Sequence, residues 1–459
     1  MSHKHPPGAR RSQGMDARVS PELPPADLPR AFCYIESVHP TFKLRGLAPL
    51  SADQRTPGTL AQVLALGTTQ TIAWASSTYL PAILATPIAS ELGLARSTVF
   101  AAFSLSLVVM ALAGPAVGRA IDLRGGRNML VASSLVLASG LAMLGCASGA
   151  WLLFAAWCVL GLGMAMGLYD AAFATLVCLH GGAARGPITG ITLIAGFAST
   201  VGWPLTAFIA ERYGWRTSCF AWAGLHLAVA IPLNLRWIPQ LKAEDARPEQ
   251  AAAVPGAASA AASGSAVRPA DEGRAFLLLA LFFAATAFVT SAMAAHLPGL
   301  LLAAGASALA ALTAASLLGP AQVAARLIEF FAVKRYHYHP MLTARLATSL
   351  HPVGALVLGL FGGLPLAAAG FALLHGAGNG MITIAKGTLP LAIFGPVGYG
   401  LRQGLLSMLA RGMQALAPFA FGLVLDSYGA RAAIALSAAI SLVALGALLA
   451  MRADAGSGN

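Results

Sequence analysis

The sequence is short of charge. Aspartate, glutamate, lysine and arginine supply 10% of its 459 residues and hydrophobic residues 57%, with a mean hydropathy of +0.73. Soluble domains carry roughly 25% charged residues, so a chain with less than half that fraction must set most of its surface against lipid. A secreted enzyme, a disordered scaffold and a nucleic-acid binder become poor readings. Acidic side chains are the scarcer sign, 17 against 29 basic. In a soluble protein the net charge of +12 would point to nucleic acid or an acidic partner; here its placement matters more than its sum.

Cysteine is also sparse. Cys33, Cys146, Cys158, Cys178 and Cys219 are an odd number, four of them lie in apolar stretches, and none forms a CxxC pair or a zinc-ligand spacing. Residues 1–57 hold no apolar run of the kind a cleavable signal needs and read as a disordered cytoplasmic tail. A GxxxxGK[ST] loop and an HExxH pair are missing too, which removes ATP coupling and an embedded metallohydrolase. No cofactor and no metal site are expected, and the chain is not expected to be an enzyme.

What the sequence has instead is long uncharged runs. A bilayer core of about 30 Å takes about 20 helical residues, and runs of that length occur twelve times. Thr56–Ser90, Ser97–Gly118, Gly186–Ala210 and Thr217–Leu235 hold one span each, and Asn128–Tyr169 holds two, divided near Gly145 to Trp151. A polar stretch rich in Ala, Ser, Gly and Pro follows, with Lys242, Glu244, Asp245, Arg247 and Glu249. After it Ala275–Ala325 and Leu346–Ala385 hold two spans each, and Leu401–Leu425 and Ala432–Met451 one each. The expected fold is therefore all-α and polytopic: a six-helix bundle over 58–238, a cytoplasmic linker over 239–274, a second bundle over 275–452 and a tail over 453–459. In the short loops Arg119, Arg124, Arg127, Arg185, Lys334, Arg335, Arg345, Arg402 and Arg452 fall on one side, against Arg96, Arg212, Arg216 and Arg431 on the other. By the positive-inside rule the first side, with both termini, is cytoplasmic.

An internal repeat supports the two halves. Glu211-Arg-Tyr213-Gly214-Trp-Arg216 and Asp426-Ser-Tyr428-Gly429-Ala-Arg431 match in form, and so do Gly161-Leu-Gly163 and Gly376-Ala-Gly378 at the same separation. Gly118-Arg-Ala-Ile-Asp122 is echoed more loosely by Ala325-Arg-Leu-Ile-Glu329. Repeated halves around a linker suit a transporter that rocks one half against the other.

Gly118-Arg119-Ala-Ile-Asp122-Leu-Arg124-Gly125-Gly126-Arg127 resembles the G-x-x-x-D-[RK]-x-G-[RK] loop signature of the major facilitator superfamily, with Leu123 standing where a basic residue is usual. Gly214-Trp215-Arg216 is similar to the G-W-R of the same family. The resemblance covers residues 58–452. It implies two six-helix bundles, alternating access, and a central cavity lined by spans one, four, seven and ten. It also implies a gating role for the loop of Gly118, Asp122, Arg124, Gly125 and Arg127. A topology-setting charge cluster is the bland alternative. Trp157 stands where proton-driven drug exporters of the family carry arginine.

Ionisable groups inside the bilayer are costly and mark function by default. Arg411 lies about ten residues into span eleven with no acidic residue within a helical turn, and reads as an anion ligand or as an arginine paired to another helix. Arg326 in span eight has Glu329 three residues on, in reach for an i,i+3 pair. Basic residues in spans eight and eleven look like the arrangement in oxalate:formate exchangers and monocarboxylate carriers, and a guanidinium fork suits a carboxylate. Asp170 in span four and Lys386 in span ten occupy nearly equivalent repeat positions; both line the cavity or snorkel to water. Asp170, His296 and Glu329 are the proton-coupling candidates. His296, ahead of Pro298-Gly299, resembles a His-Leu-x-Pro feature of monocarboxylate-type carriers, although a histidine bonded to backbone would look the same. His375 with Asn379, and Gln70 with Trp74, are i,i+4 pairs that suit a cavity wall or helix packing.

Gly161-x-Gly163-x-x-x-Gly167 sits in an apolar run and reads as close helix packing, and His337-Tyr-His339 lacks further metal ligands. The expected function is secondary transport of a small carboxylate or other anion, proton-coupled or by exchange, in a bacterial-type inner membrane, with the lipid bilayer, a small-molecule substrate and protons as partners. The carrier is expected to be monomeric. Efflux of a toxic solute or a metalloid such as arsenite is the alternative, since Gln70 to Pro81 resembles bacterial carriers of that kind; a non-transporting sensor ranks behind both.

Overall fold

In lipid a backbone N–H or C=O finds no water, so each must be satisfied within its own helix or within a closed barrel. The computed structural model describes residues 58–240 and 269–451 and takes the helical solution, with no strand among the described residues. The expected tails and most of the expected linker lie outside the described residues.

The first half opens with α1 (Thr59–Ser76) and α2 (Leu80–Leu92), one apolar stretch interrupted at Ser77 to Tyr79. Helices α3 (Arg96–Arg124) and α4 (Arg127–Gly145) follow. Next come α5 (Ala150–Gly167) and α6 (Tyr169–His180), broken at Leu168, and then α7 (Arg185–Ala195) and α8 (Ala198–Tyr213). Helices α9 (Trp215–Leu225) and α10 (Ile231–Trp237) are joined by a π turn over His226–Ala230. The second half holds α11 (Pro269–Ala303), α12 (Ala308–Ser316) with α13 (Leu318–Tyr336), α14 (Pro340–Phe361), α15 (Pro365–Phe394) and α16 (Tyr399–Ala450). Helix α11 thus begins inside the stretch expected as linker. Helix α6 runs past the expected end at Tyr169 to His180, carrying Asp170 into the bundle because α16 supplies its hydrogen bonds.

The repeat is visible as a repeat of breaks. Gly214 (φ 87°) and Gly429 (φ 78°), the paired glycines of the sequence, both sit in the left-handed region and turn the chain between consecutive apolar stretches. Gly93 and Gly305 do the same at another pair of equivalent places. Nine helical stretches among the described residues are long and apolar enough to cross a membrane. Large apolar side chains such as Leu112, Leu366 and Phe419 face outward, the reverse of a soluble protein. Small residues lie where helices cross: a Cβ on Gly161 would stand 2.4 Å from the Ser106 carbonyl oxygen, and one on Gly163 2.8 Å from the Leu137 side chain. The Gly161 to Gly167 pattern is therefore packing.

Candidate functional site

The two halves meet first along α3 and α16. A Cβ on Gly118 would lie 1.9 Å from the Gly400 carbonyl oxygen, and one on Gly404 2.6 Å from that of Gly114, so only glycine permits this crossing. The close approach sets Asp122 at the start of α16, where its two carboxylate oxygens accept from the Gly400 and Leu401 N–H groups at 2.8 Å each. A carboxylate at a helix N-terminus meets orphan N–H groups and the positive end of the dipole. Gly125 (φ 74°) ends α3 directly after it, Arg124 points to solvent, and Arg127 opens α4.

A second clasp joins α7 to α13. Arg185 approaches Glu329 at 3.5 Å and donates to the Tyr338 carbonyl oxygen at 2.5 Å. Glu329 is nearly fully buried and also accepts from Thr343 Oγ1 at 2.7 Å and from the Tyr338 hydroxyl. Burial, and then the Glu329 carboxylate, push the Tyr338 phenol up to about 12, so it stays a donor at all ordinary pH. The expected i,i+3 pair of Arg326 with Glu329 does not form. The reason is tertiary: the carboxylate points to α7, while the Arg326 guanidinium turns the other way.

Arg326 is 5% exposed and donates to the Thr192 carbonyl at 2.9 Å, the Gly380 carbonyl at 3.2 Å and Thr383 Oγ1 at 3.4 Å. All three acceptors are neutral, and no described carboxylate is within ion-pair distance. A Cβ on Gly196 would stand 2.8 Å from the guanidinium, so that glycine makes room for it. Facing it is an aromatic wall. Trp74 packs on Tyr169 with ring centroids 5.0 Å apart, Tyr79 meets Trp203 edge-on at 5.8 Å, and Tyr169 stacks on Phe173 at 5.2 Å. Tyr79 and Tyr169 are within electrostatic reach of Arg326.

Arg411, solitary in sequence, is not solitary in space. It approaches Asp170 at 3.4 Å and donates to Gln414 Oε1 at 2.8 Å. Asp170 accepts further from Gln403 Nε2 at 2.9 Å and Ser407 Oγ at 2.8 Å. A cavity between the halves is lined by both charged groups together with Met110, Ala165 and Met408. Lys386 lies with its ammonium 5.6 Å from the Phe283 ring centroid, within electrostatic reach of the same pair.

The remaining candidates are scattered. Gln70 is buried inside the first half and donates to the Gly167 carbonyl at 2.5 Å, away from its sequence neighbour Trp74. His375 meets His351 (Nδ1 to Nδ1, 2.8 Å), while Asn379 accepts from Thr290 at 2.8 Å, so the expected pair serves two different contacts. His296 Nε2 bonds the Pro418 carbonyl at 2.8 Å and packs on Phe421. One turn earlier Ser291 Oγ donates to the Gln414 carbonyl at 2.8 Å, the carbonyl that Pro418 deprives of its helical donor. Trp157 is buried edge-on against Phe103. Sequence reading missed Arg185, Tyr338, Gln403, Ser407 and Thr192. Only Arg185 left a signal there, as a loop charge.

The family model described as Major Facilitator Superfamily matches residues 66–354. Among solved structures, the human organic anion transporter MFSD10 (TETRAN) is similar at a TM-score of 0.64 and 18% identity, over 85% of this chain and 98% of that one. The E. coli fucose:proton symporter FucP gives 0.63 at 14% identity, and FucP in its outward conformation 0.63 at 13%, both with the same coverages. At these identities the likeness speaks for the fold alone. No curated protein matches the chain in sequence.

Proposed function

The chain belongs to the major facilitator superfamily of membrane transporters, and from that premise we propose that it carries a small carboxylate or comparable oxyanion by alternating access. Twelve crossings follow from the nine stretches once the 64-residue Ala150–Tyr213 is divided at Gly181–Ala184, the 52-residue Tyr399–Ala450 is divided at Gly429, and α15 is added. The basic loop residues gather at the clasped end, which on the positive-inside rule is cytoplasmic and holds both termini there, as in a bacterial-type inner membrane. The state described is then closed to the cytoplasm.

The observation that carries the substrate reading is the Arg326 guanidinium, buried between the halves on neutral acceptors alone. A buried charge without a counter-charge is costly, and a carboxylate supplies the missing charge along with a fit to the guanidinium fork. The wall of Trp74, Tyr79, Tyr169 and Trp203 gives an apolar face to the rest of the solute. Arg326 thereby takes the leading role that sequence gave to Arg411. Asp170 and Arg411 suit coupling instead: their ion pair, with Gln403 and Ser407 on the same carboxylate, ties α6 to α16 across the interface, and that link depends on the Asp170 charge.

The test is uptake by proteoliposomes from a panel of mono- and dicarboxylates. Arg326→Gln should reduce transport roughly 10- to 100-fold, the value of a hydrogen bond to a charged group. Asp170→Asn should abolish the response to an imposed pH gradient while leaving exchange. Full carboxylate transport by Arg326→Gln sinks the anion reading. Neutral arsenite needs no guanidinium, so arsenite efflux that survives Arg326→Gln transfers the assignment to the metalloid alternative.

A further inference from the structure

Inside the first half, away from the interface, lies a second polar cavity with room for one water-sized particle. Thr69, Gln70, Ser133, Ser134, His226 and Asn234 line it, and none is more than 5% exposed. What distinguishes it is the sign of its lining. Thr69 Oγ1 donates to the Leu66 carbonyl at 3.0 Å, Ser133 Oγ to Gly163 at 2.8 Å and Ser134 Oγ to Leu130 at 3.1 Å, so every hydroxyl spends its hydrogen on a helix carbonyl. The Gln70 and Asn234 amide nitrogens donate to the Gly167 and Leu130 carbonyls, at 2.5 and 3.5 Å. Their oxygens, Gln70 Oε1 and Asn234 Oδ1, have no partner, and neither has His226 Nδ1. The lining is left with lone pairs on five oxygens.

Three helices break around this cavity. Helix α1 ends at Ser76, which bonds His226 Nε2 at 2.8 Å; α5 ends at Gly167, which also lines the cavity; and the π turn begins at His226 itself. Discontinuous helices and π turns in membrane proteins gather at sites where something binds, because they expose polar groups that an unbroken helix would satisfy.

We infer that this cavity is a binding site for a desolvated alkali cation, held by the side-chain oxygens of Thr69, Gln70, Ser133, Ser134 and Asn234. An anion would meet only the second hydrogens of the Gln70 and Asn234 amide nitrogens against five oxygens, and a divalent ion finds no carboxylate. A single water brings two hydrogens to three unpartnered acceptors, Gln70 Oε1, Asn234 Oδ1 and His226 Nδ1, whereas a monovalent cation is attracted by every oxygen at once. His226 Nδ1 joins the set in the tautomer that carries its proton on Nε2 toward Ser76.

The test is thermal unfolding of the purified protein in sodium, potassium or choline chloride at constant ionic strength. At least one alkali salt should raise Tm saturably, by roughly 2–4 °C or more, because an ion that binds only the folded state stabilises it by mass action. Asn234→Leu and Ser133→Ala should each move the half-saturating concentration up at least tenfold; the smaller change keeps the test alive if the larger one prevents folding. Arg326→Gln should leave the cation response in place, which separates this site from the carboxylate site. Equal melting in all three salts would falsify the inference, and so would an alkali response that both cavity variants retain.

Discussion

The two clasps at the closed end occupy equivalent places in the repeat and are made of different chemistry. Each joins the end of the second apolar stretch of one half to the start of the fifth stretch of the other: α3 to α16 through Asp122, α13 to α7 through Glu329. The Asp122 clasp is backbone. Its donors are two N–H groups that cannot swing away, and glycine-to-glycine contact sets its geometry. The Glu329 clasp is reached by a side chain, Arg185, which spans from the first half to the Glu329 carboxylate and the Tyr338 carbonyl oxygen, while Tyr338 and Thr343 hold the same buried carboxylate from its own half. One clasp is limited by space and the other by charge, so different substitutions should open them.

The largest effect should come from space. Gly118→Leu puts carbon where the Gly400 carbonyl oxygen now stands, and overpacking of that kind costs about 1–3 kcal/mol even where neighbours can give way; here the neighbour is backbone. The variant should fold, lose transport, and show a longer distance between spin labels at the exposed positions Arg124 and Val397. An unchanged distance would mean that the glycine crossing does not control closure.

Charge should rank second, and unequally. Glu329→Gln leaves Arg185 facing a neutral partner in a half-buried place. The full penalty for such a break is about 3–5 kcal/mol, which solvent at Arg185 reduces to about 2 kcal/mol, a factor of about 30 in the closed population. Asp122→Asn keeps one acceptor and loses a charge at a helix terminus, about 0.3–1 kcal/mol and a factor of about 2 to 5. Spin labels at Ala183 and Tyr336 for the first and at Arg124 and Val397 for the second should show the Glu329 clasp opening further. The reverse order would refute the division into a backbone and a side-chain clasp.

The same division explains what could be read from the sequence. Asp122 and the glycines of its loop are contiguous, so the signature named the clasp before its partner was known. Gly214 and Gly429 were legible as a repeat for the same reason, since a backbone break needs a particular residue at a particular place. Arg326 and Glu329 were adjacent on a helix and therefore looked paired, but adjacency at i,i+3 only permits a pair, and the half-buried Arg185 of the other half decided otherwise. Asp170 and Arg411 could not be matched in sequence because the contact is made by two halves packing together. The acceptor-lined cavity was invisible for that reason too: its polar side chains come from three separate stretches and none carries a formal charge.

The smallest expected effect is a pH response confined to the side-chain clasp. His339 follows Tyr338 in the loop after α13, and its Nδ1 accepts the Met341 N–H at 3.1 Å, capping α14. Burial, and then the positive charges of Arg185 and Arg345, lower its pKa from the ordinary 6.5. A protonated ring has no lone pair for the cap, so the neutral form is the one that folding favours. The stability from this group is therefore fully present above about pH 6.5 and is lost as pH falls through the lower folded value. Acidification from pH 7.5 to 5 should loosen the Ala183 to Tyr336 distance. His339→Ser keeps a capping acceptor that does not titrate, so it should remove the acid response while leaving the clasp closed at neutral pH. If His339→Ser loosens with acid as much as the parent protein does, the response comes from another group of this clasp.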